Sequence, residues 1–208
     1  MVALETQDSA KERIIEHARV RFFIDGFARV SVDEITSELG MSKKTFYKYF
    51  ERKEDLVHSI VARMLGETER RVQAIQSMQA PFPEKLDSLM KLVGGVFKTI
   101  SKNMLRDLQT YAPEAWENIQ TFRRERIITT WATLFDEGKR TGYVRPTINH
   151  RVFLLALYST IEGIINPTVL TNESFSADEA LQSIVAIFLT GILTPDAAQT
   201  FHSLPLNS

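Results

Sequence analysis

Apolar residues recur at helical spacing through most of the chain. Between Ser9 and Phe27 they fall at Ile14, Ile15, Ala18, Phe22 and Phe23, with Glu12, Glu16 and Arg19 between them. That spacing predicts a helix with one buried face, and Gly26 is its stop signal. Ser31-Val32-Asp33-Glu34 has the form of a capping box, in which Ser31 caps the next helix and Glu34 reaches back. This helix carries Ile35 and Leu39, and Gly40 stands where a left-handed C-terminal residue is wanted. Ser42 then caps a second short helix, whose buried side is supplied by Phe46, Tyr49 and Phe50. Only Gly40 and Met41 separate the two. A short Gly-containing turn between two short helices is the helix-turn-helix pattern, although many helical corners share it.

A long helix follows from Lys53 to about Met78, with Glu54 and Asp55 at its positive end, and Pro81 and Pro83 stop it. Further helices are predicted at 84–102, 104–111, 114–139, 149–166 and 177–193. Breaks fall at Pro113, at Gly142 to Pro146, at Pro167 and at Pro195. No alternating β-branched run lies between turn signals, so no strand is expected. The reading is an all-α chain of about nine helices.

Composition narrows the function. The chain has 208 residues, 44% hydrophobic and 25% charged, and only nine Gly and seven Pro, which suits long uninterrupted elements. A net charge of −1 excludes a generally basic, nucleic-acid-coating protein. There is no Cys, which removes disulfides, thiol catalysis and cysteine metal sites. The opening MVALETQDSAKER does not read as a signal peptide. The most apolar stretch, Val152 to Leu170, is interrupted by Glu162, Asn166 and Pro167, so no membrane span and a cytoplasmic location are expected. His17, His58, His150 and His202 lack metal-ligand spacing. Gly94-Gly95 sits inside a helical stretch, where it suits close packing rather than phosphate binding, and no Gly-x-Ser-x-Gly motif occurs. Neither a metal nor a cofactor is expected, and the chain is not expected to be an enzyme.

Charge position matters more than total charge. Between Gly40 and Lys53 lie Lys43, Lys44, Lys48, Arg52 and Lys53 against one acid, Glu51. Clustered cations on a helix that can enter a groove are the footprint of phosphate binding. Base readout comes from the start of the second helix of such a pair, which assigns Lys43, Lys44, Thr45 and Tyr47 to the groove, with Ser42 and Lys48 beside them.

Ser31–Leu56, SVDEITSELGMSKKTFYKYFERKEDL, resembles the N-terminal DNA-binding region of the tetracycline-repressor-like (TetR) family. The resemblance rests on Ile35 and Leu39, then Gly40-Met41-Ser42-Lys43, Thr45 to Phe50, and Lys53-Glu54-Asp55-Leu56, in that order. The preceding helix, with Ala18, Phe22 and Gly26-Phe27, matches as well. Arg52 departs from the family, which commonly has a small capping residue there. The resemblance implies an N-terminal three-helix DNA-binding domain over 1–52 and a larger ligand-binding and dimerisation domain over 53–208. It also implies that Thr36, Tyr49 and Lys53 hold the DNA backbone.

The C-terminal region carries two apolar stripes, Leu154, Leu157, Ile161 and Ile165, and Leu181, Ile184, Phe188 and Ile192. Such stripes fill a core or meet a second copy. The resemblance implies that the last two helices pair across a two-fold axis in a homodimer, whose two reading heads suit a palindromic operator in double-stranded DNA. Phe97, Met104, Leu108, Tyr111, Trp116, Phe122 and Trp131 are candidates to line an apolar ligand pocket. Tyr158, Glu162 and Asn166 are candidates to orient the ligand. The expected function is a repressor released by a small apolar or amphipathic molecule. The alternative is a DNA-bound protein-interaction module without an inducer.

Overall fold

The computed structural model describes residues 2–201. Its helices are α1 (Val2–Asp25), α2 (Val32–Glu38), α3 (Lys43–Tyr47), α4 (Lys53–Ser77), α5 (Phe82–Thr99), α6 (Lys102–Tyr111), α7 (Pro113–Arg140), α8 (His150–Ile164), α9 (Pro167–Asn172), α10 (Ala177–Ile192) and α11 (Pro195–Phe201). Among the described residues no strand forms, and a single antiparallel bridge joins Val144 to Leu193. The two helices beyond the expected nine, α9 and α11, both begin on proline. Pro167 and Pro195 do interrupt the chain, yet each also opens a new helix, because a first-turn residue needs no N–H. Among the described residues no helix is long and apolar enough to cross a membrane.

The chain divides into two compact units. One comprises the chain up to Gly66 together with Thr99–Ile119; the other comprises Glu67–Lys98 and the chain from Gln120 onward. The first unit therefore takes in more than residues 1–52. The opening turns of α4, all of α6 and the start of α7 pack with α1 to α3 around Ile14, Phe22, Phe27, Ile35, Phe46, Leu56, Ile60 and Met104. Both predicted caps form. Ser31 accepts from the Glu34 N–H at 3.2 Å while Glu34 accepts from the Ser31 N–H at 2.7 Å. Ser42 accepts from the Thr45 N–H at 3.1 Å. At Arg52 the missing cap is made from the other side, by Asp55, which accepts the Arg52 N–H at 2.8 Å.

The α1–α2 loop is seated on α6. The Asp107 carboxylate, 1% exposed, accepts the Ala28 N–H at 2.9 Å. Gly26 allows this approach: its φ is +83°, and a Cβ there would lie 2.6 Å from Asp107 Oδ2.

In the second unit Phe82, Leu86, Leu134, Phe135, Phe153, Leu157 and Ile184 are buried. Lys85 on α5 meets Glu137 on α7 at 3.0 Å, largely out of solvent. Gly138 lets the turn after α7 fold back, since a Cβ there would lie 2.6 Å from Val144 Cγ2 and 2.9 Å from Phe82 Cε2. The segment beyond the turn is then tied to the end of α10 by Arg145 N–H to Ile192 O at 2.9 Å.

The stripes expected to meet a second copy are core instead. Leu154, Leu157, Ile161, Ile165, Leu181, Ile184 and Ile192 are all buried within one protomer. Phe188 is partly buried, edge-on to Phe153 with ring centroids 5.8 Å apart. The face left outside is a different one. On α8 it carries Val152, Leu155, Ala156 and Ser159, and on α10 Ser183, Ala186, Ile187 and Thr190, with Ile187 70% exposed. Both helices are apolar on nearly all sides, so their periodicity offers two stripes and only the packing selects between them.

Gly40 also has a positive φ, +63°, but open space lies beside it. Gly40→Ala is expected to cost about 1–2 kcal/mol from the left-handed backbone alone. Gly26→Ala is expected to cost about 3 kcal/mol or more, because the added methyl also displaces Asp107 from the Ala28 amide. Urea unfolding of both variants checks this. Equal losses would show that Asp107 does not depend on the bare Gly26.

Candidate functional site

The α2–α3 pair is held by its apolar residues, which leaves its cations outside. Ile35 and Phe46 are wholly buried, and Phe46 packs against Phe50 with centroids 5.5 Å apart. Burying Phe46 orients α3 so that Lys43, Lys44, Tyr47 and Lys48 all face solvent. Tyr47 is 52% exposed and stacks edge-on to Phe46 at 5.3 Å, which stiffens the exposed ring. The Lys48 ammonium lies 5.8 Å over the Tyr49 ring. Lys43 meets Asp33 at 2.7 Å across the turn, and that bond raises its pKa above the ordinary lysine value. Exposed pairs of this kind contribute little to stability. Lys44 has no ion pair among the described residues.

Five of the expected contacts are engaged within the domain to differing degrees. Thr36 is 3% exposed, and its hydroxyl donates to the Val32 carbonyl at 2.9 Å, so it does not reach a phosphate. Its short side chain lies against the domain, and the back-bond satisfies it there. Ser42 and Thr45 meet through their hydroxyls at 3.0 Å and serve the α3 cap. The half-buried Lys53 donates to the carbonyls of Phe27 at 2.8 Å and Val30 at 3.1 Å. Burial lowers its pKa, opposed by the nearby Glu54, Asp107 and Glu34. Lys53 is thus first a tie between α4 and the α1–α2 loop. Tyr49 is half-buried against the same core.

Residues 14–60 match the family model described as "Bacterial regulatory proteins, tetR family". A Bacillus subtilis (strain 168) protein named "Uncharacterized HTH-type transcriptional regulator YvaF" is 25% identical over 81% of this chain and 88% of its own length. Residues 14–60 thus carry the DNA-binding region of the tetR family. That match and the regulator relatives make it a DNA-binding transcriptional regulator and not an enzyme. Solved structures agree in fold. A TetR-family regulator from Agrobacterium tumefaciens superposes with a TM-score of 0.67 at 18% identity, covering 90% of this chain and 100% of that one. A structure described as "SmeT-Triclosan complex" superposes with a TM-score of 0.62 at 15% identity, covering 91% and 94%.

Of the candidate ligand residues of this regulator, Met104, Leu108, Tyr111 and Trp116 belong to the first unit. Met104 and Leu108 are buried in its core and Trp116 packs against that core, while Tyr111 is exposed, edge-on to Phe27. Phe97, Phe122, Trp131, Tyr158, Glu162 and Asn166 belong to the second. There Trp131 is core, packed on Phe153 at 6.2 Å. Asn166 is engaged by the backbone. Its Oδ1 accepts from the Val169 N–H at 3.0 Å, and its Nδ2 donates to the carbonyls of Glu162 and Gly163, both at 3.0 Å. It closes α8 and opens α9.

Glu162 has a partner that the periodicity did not single out. Arg123 on α7 lies 3.3 Å from it, and Gln120 Nε2 donates to Glu162 Oε2 at 2.5 Å. Arg123 Nη1 donates to Gln120 Oε1 at 3.0 Å, and the guanidinium lies 5.9 Å from the Phe97 ring centroid. Burial lowers the Arg123 pKa, with Glu162 and Tyr158 acting in the opposite sense. One turn on, Arg126 meets Glu69 of α4 at 2.7 Å. A signal for Arg123 existed: it stands four residues after the buried Ile119, on the inward face of α7. In a run of RRER it reads as solvated surface.

Lys53→Met retains the aliphatic stem and removes the ammonium from two carbonyls. It is expected to lower the stability of the first unit by about 1–2 kcal/mol without loss of helix content. Thermal unfolding checks this, and an unchanged midpoint would return Lys53 to a purely DNA-facing role.

Proposed function

We propose that the chain is a cytoplasmic, homodimeric repressor of a palindromic operator, released from DNA when a small amphipathic molecule enters the second unit. The observation that carries the DNA reading is the exposed face of α3, where Lys44, Tyr47 and Lys48 project from a helix anchored by the buried Phe46. Lys43, Lys44 and Tyr47 enter the major groove, and Lys48 and Tyr49 hold its backbone. Ser42 and Thr45 keep the helix start in shape, with Thr45 half-exposed beside the groove.

TetR-family regulators usually bind DNA as dimers. The exposed apolar face of α8 and α10 supports a two-fold interface, because Val152, Leu155 and Ile187 project from it among Ala, Ser and Thr residues small enough for close helix approach. Two reading heads then sit about 34–36 Å apart or at a multiple of that spacing. The triclosan complex of a structural neighbour supports a small apolar effector. Continuity of α4 from Lys53 to Ser77 supports its route of action: movement of the α4 end near Glu69 is carried along the helix to Lys53 and the loop that it ties. Coupling of this kind is typically about 1–3 kcal/mol.

Selection of bound sites from random duplex DNA is expected to return a palindrome, and no preferred sequence would defeat the reading. Lys48→Ala is expected to lower the salt slope of binding by about one per protomer on every sequence, whereas Tyr47→Ala alters preference at defined base pairs. Ile187→Asp places a charge in the proposed interface and is expected to give folded monomers by sedimentation. A stable Ile187→Asp dimer would locate the interface elsewhere.

A further inference from the structure

Buried polar atoms in folded proteins have hydrogen-bond partners, and exceptions call for an explanation. In this chain the exceptions are not scattered. Among the described residues, every buried side-chain nitrogen or oxygen without a hydrogen bond belongs to Arg123, Arg126 or Thr130 of α7, or to Glu69 and Glu162, which meet those arginines. Positions 123, 126 and 130 follow one another at helical spacing, so these atoms lie along one side of α7.

The Arg123 atoms define what is missing. The side chain is 12% exposed. Its Nη1 donates to Gln120 Oε1 at 3.0 Å and to the Ile165 carbonyl at 3.4 Å, whereas Nε and Nη2 have no hydrogen bond. Those two nitrogens form the side edge of the guanidinium, whose parallel N–H groups match the two oxygens of a carboxylate. Glu162 does not fill that edge. Its Oε2 is taken by Gln120, and its Oε1 faces Nη2 alone, at 3.3 Å and outside hydrogen-bond geometry. The Phe97 ring lies against the guanidinium, 5.9 Å from it to the ring centroid.

We propose that Arg123 anchors the anionic headgroup of an amphipathic effector, which docks on the Nε/Nη2 edge while its apolar tail lies beside Phe97. Arg123 and Glu162 hold each other in place when the site is empty. A bound carboxylate takes the free edge and leaves Glu162 on Gln120. This rests on the reading of the second unit as an effector domain and adds the class of effector, an acid with an alkyl or aryl tail. A phosphate monoester presents the same oxygens.

The test uses the full chain and titration calorimetry with dodecanoate, dodecyl phosphate, methyl dodecanoate and dodecyltrimethylammonium, each below its micelle-forming concentration. Dodecanoate or dodecyl phosphate is expected to bind once per protomer, and the tighter of the two identifies the headgroup. Methyl dodecanoate is expected to bind at least about ten-fold more weakly, since the fork then lacks a charged acceptor. Arg123→Lys keeps the charge and loses the fork, and is expected to weaken anion binding by about ten-fold or more. The double variant Arg123→Gln with Glu162→Gln removes the pair without leaving a lone buried charge, and is expected to abolish the preference for anion over ester. Equal binding of ester and acid, tighter binding of the ammonium compound, no binding of either anion, or full retention by both variants would overturn the proposal. Release of operator DNA by a neutral compound alone would overturn it while sustaining the effector reading. Absence of release by any compound in a broad screen would remove both.

Discussion

The loop between α1 and α2 is held from two sides by groups of opposite charge. Asp107 of α6 accepts its Ala28 N–H, and Lys53 of α4 donates to its Phe27 and Val30 carbonyls. Gly26 makes the first contact possible, because a side chain there would occupy the space of the carboxylate. A buried carboxylate without that amide would face the full cost of desolvation, so the loop and α6 keep each other in place. The helix-turn-helix is therefore not a free module. Its first loop is tied to α4 and α6, and the DNA-facing helix inherits its position from those ties.

The same economy of roles runs through α3. Phe46 is buried, and the rest of the helix follows from that: Lys43, Lys44, Lys48 and Tyr47 face outward, and Tyr47 is steadied by the ring beneath it. A near-neutral chain with a local cationic helix has little general attraction to phosphate. In the proposed dimer its affinity comes from two positioned heads acting together, which makes it sensitive to their spacing. The second unit offers the complementary device, a face of α7 where buried charged groups meet Glu69 of α4 and Glu162 of α8 but leave hydrogen bonds unmade.

Much of the DNA-binding region was legible from local pattern. Ser31 with Glu34, Ser42 with Thr45, and Gly40 between them specify the α2–turn–α3 corner through bonds only three residues long. Residues whose role depends on distant partners were not legible in this way. Thr36 looks like a phosphate ligand until its burial is known, and Lys53 looks like one until its ammonium is found on the carbonyls of another loop. Asn166 has the chemistry of a ligand-orienting group and acts as a helix cap. Arg123 sits in a run of charges that reads as surface, and only its distance from Glu162 reveals a buried pair.

By itself the sequence determined the helices, their caps, the helix-turn-helix and the cationic cluster, because each follows from spacing within a few residues. Tertiary structure alone decided which side of each helix faces inward. For amphipathic helices the two answers coincide. For α8 and α10, apolar on nearly every side, they differ, and the stripe of Leu154, Leu157, Ile161 and Ile165 went to the core while Val152, Leu155 and Ile187 stayed outside. Hydrophobic burial is non-directional. It requires that such helices be covered, and the packing of the remaining helices decides on which side.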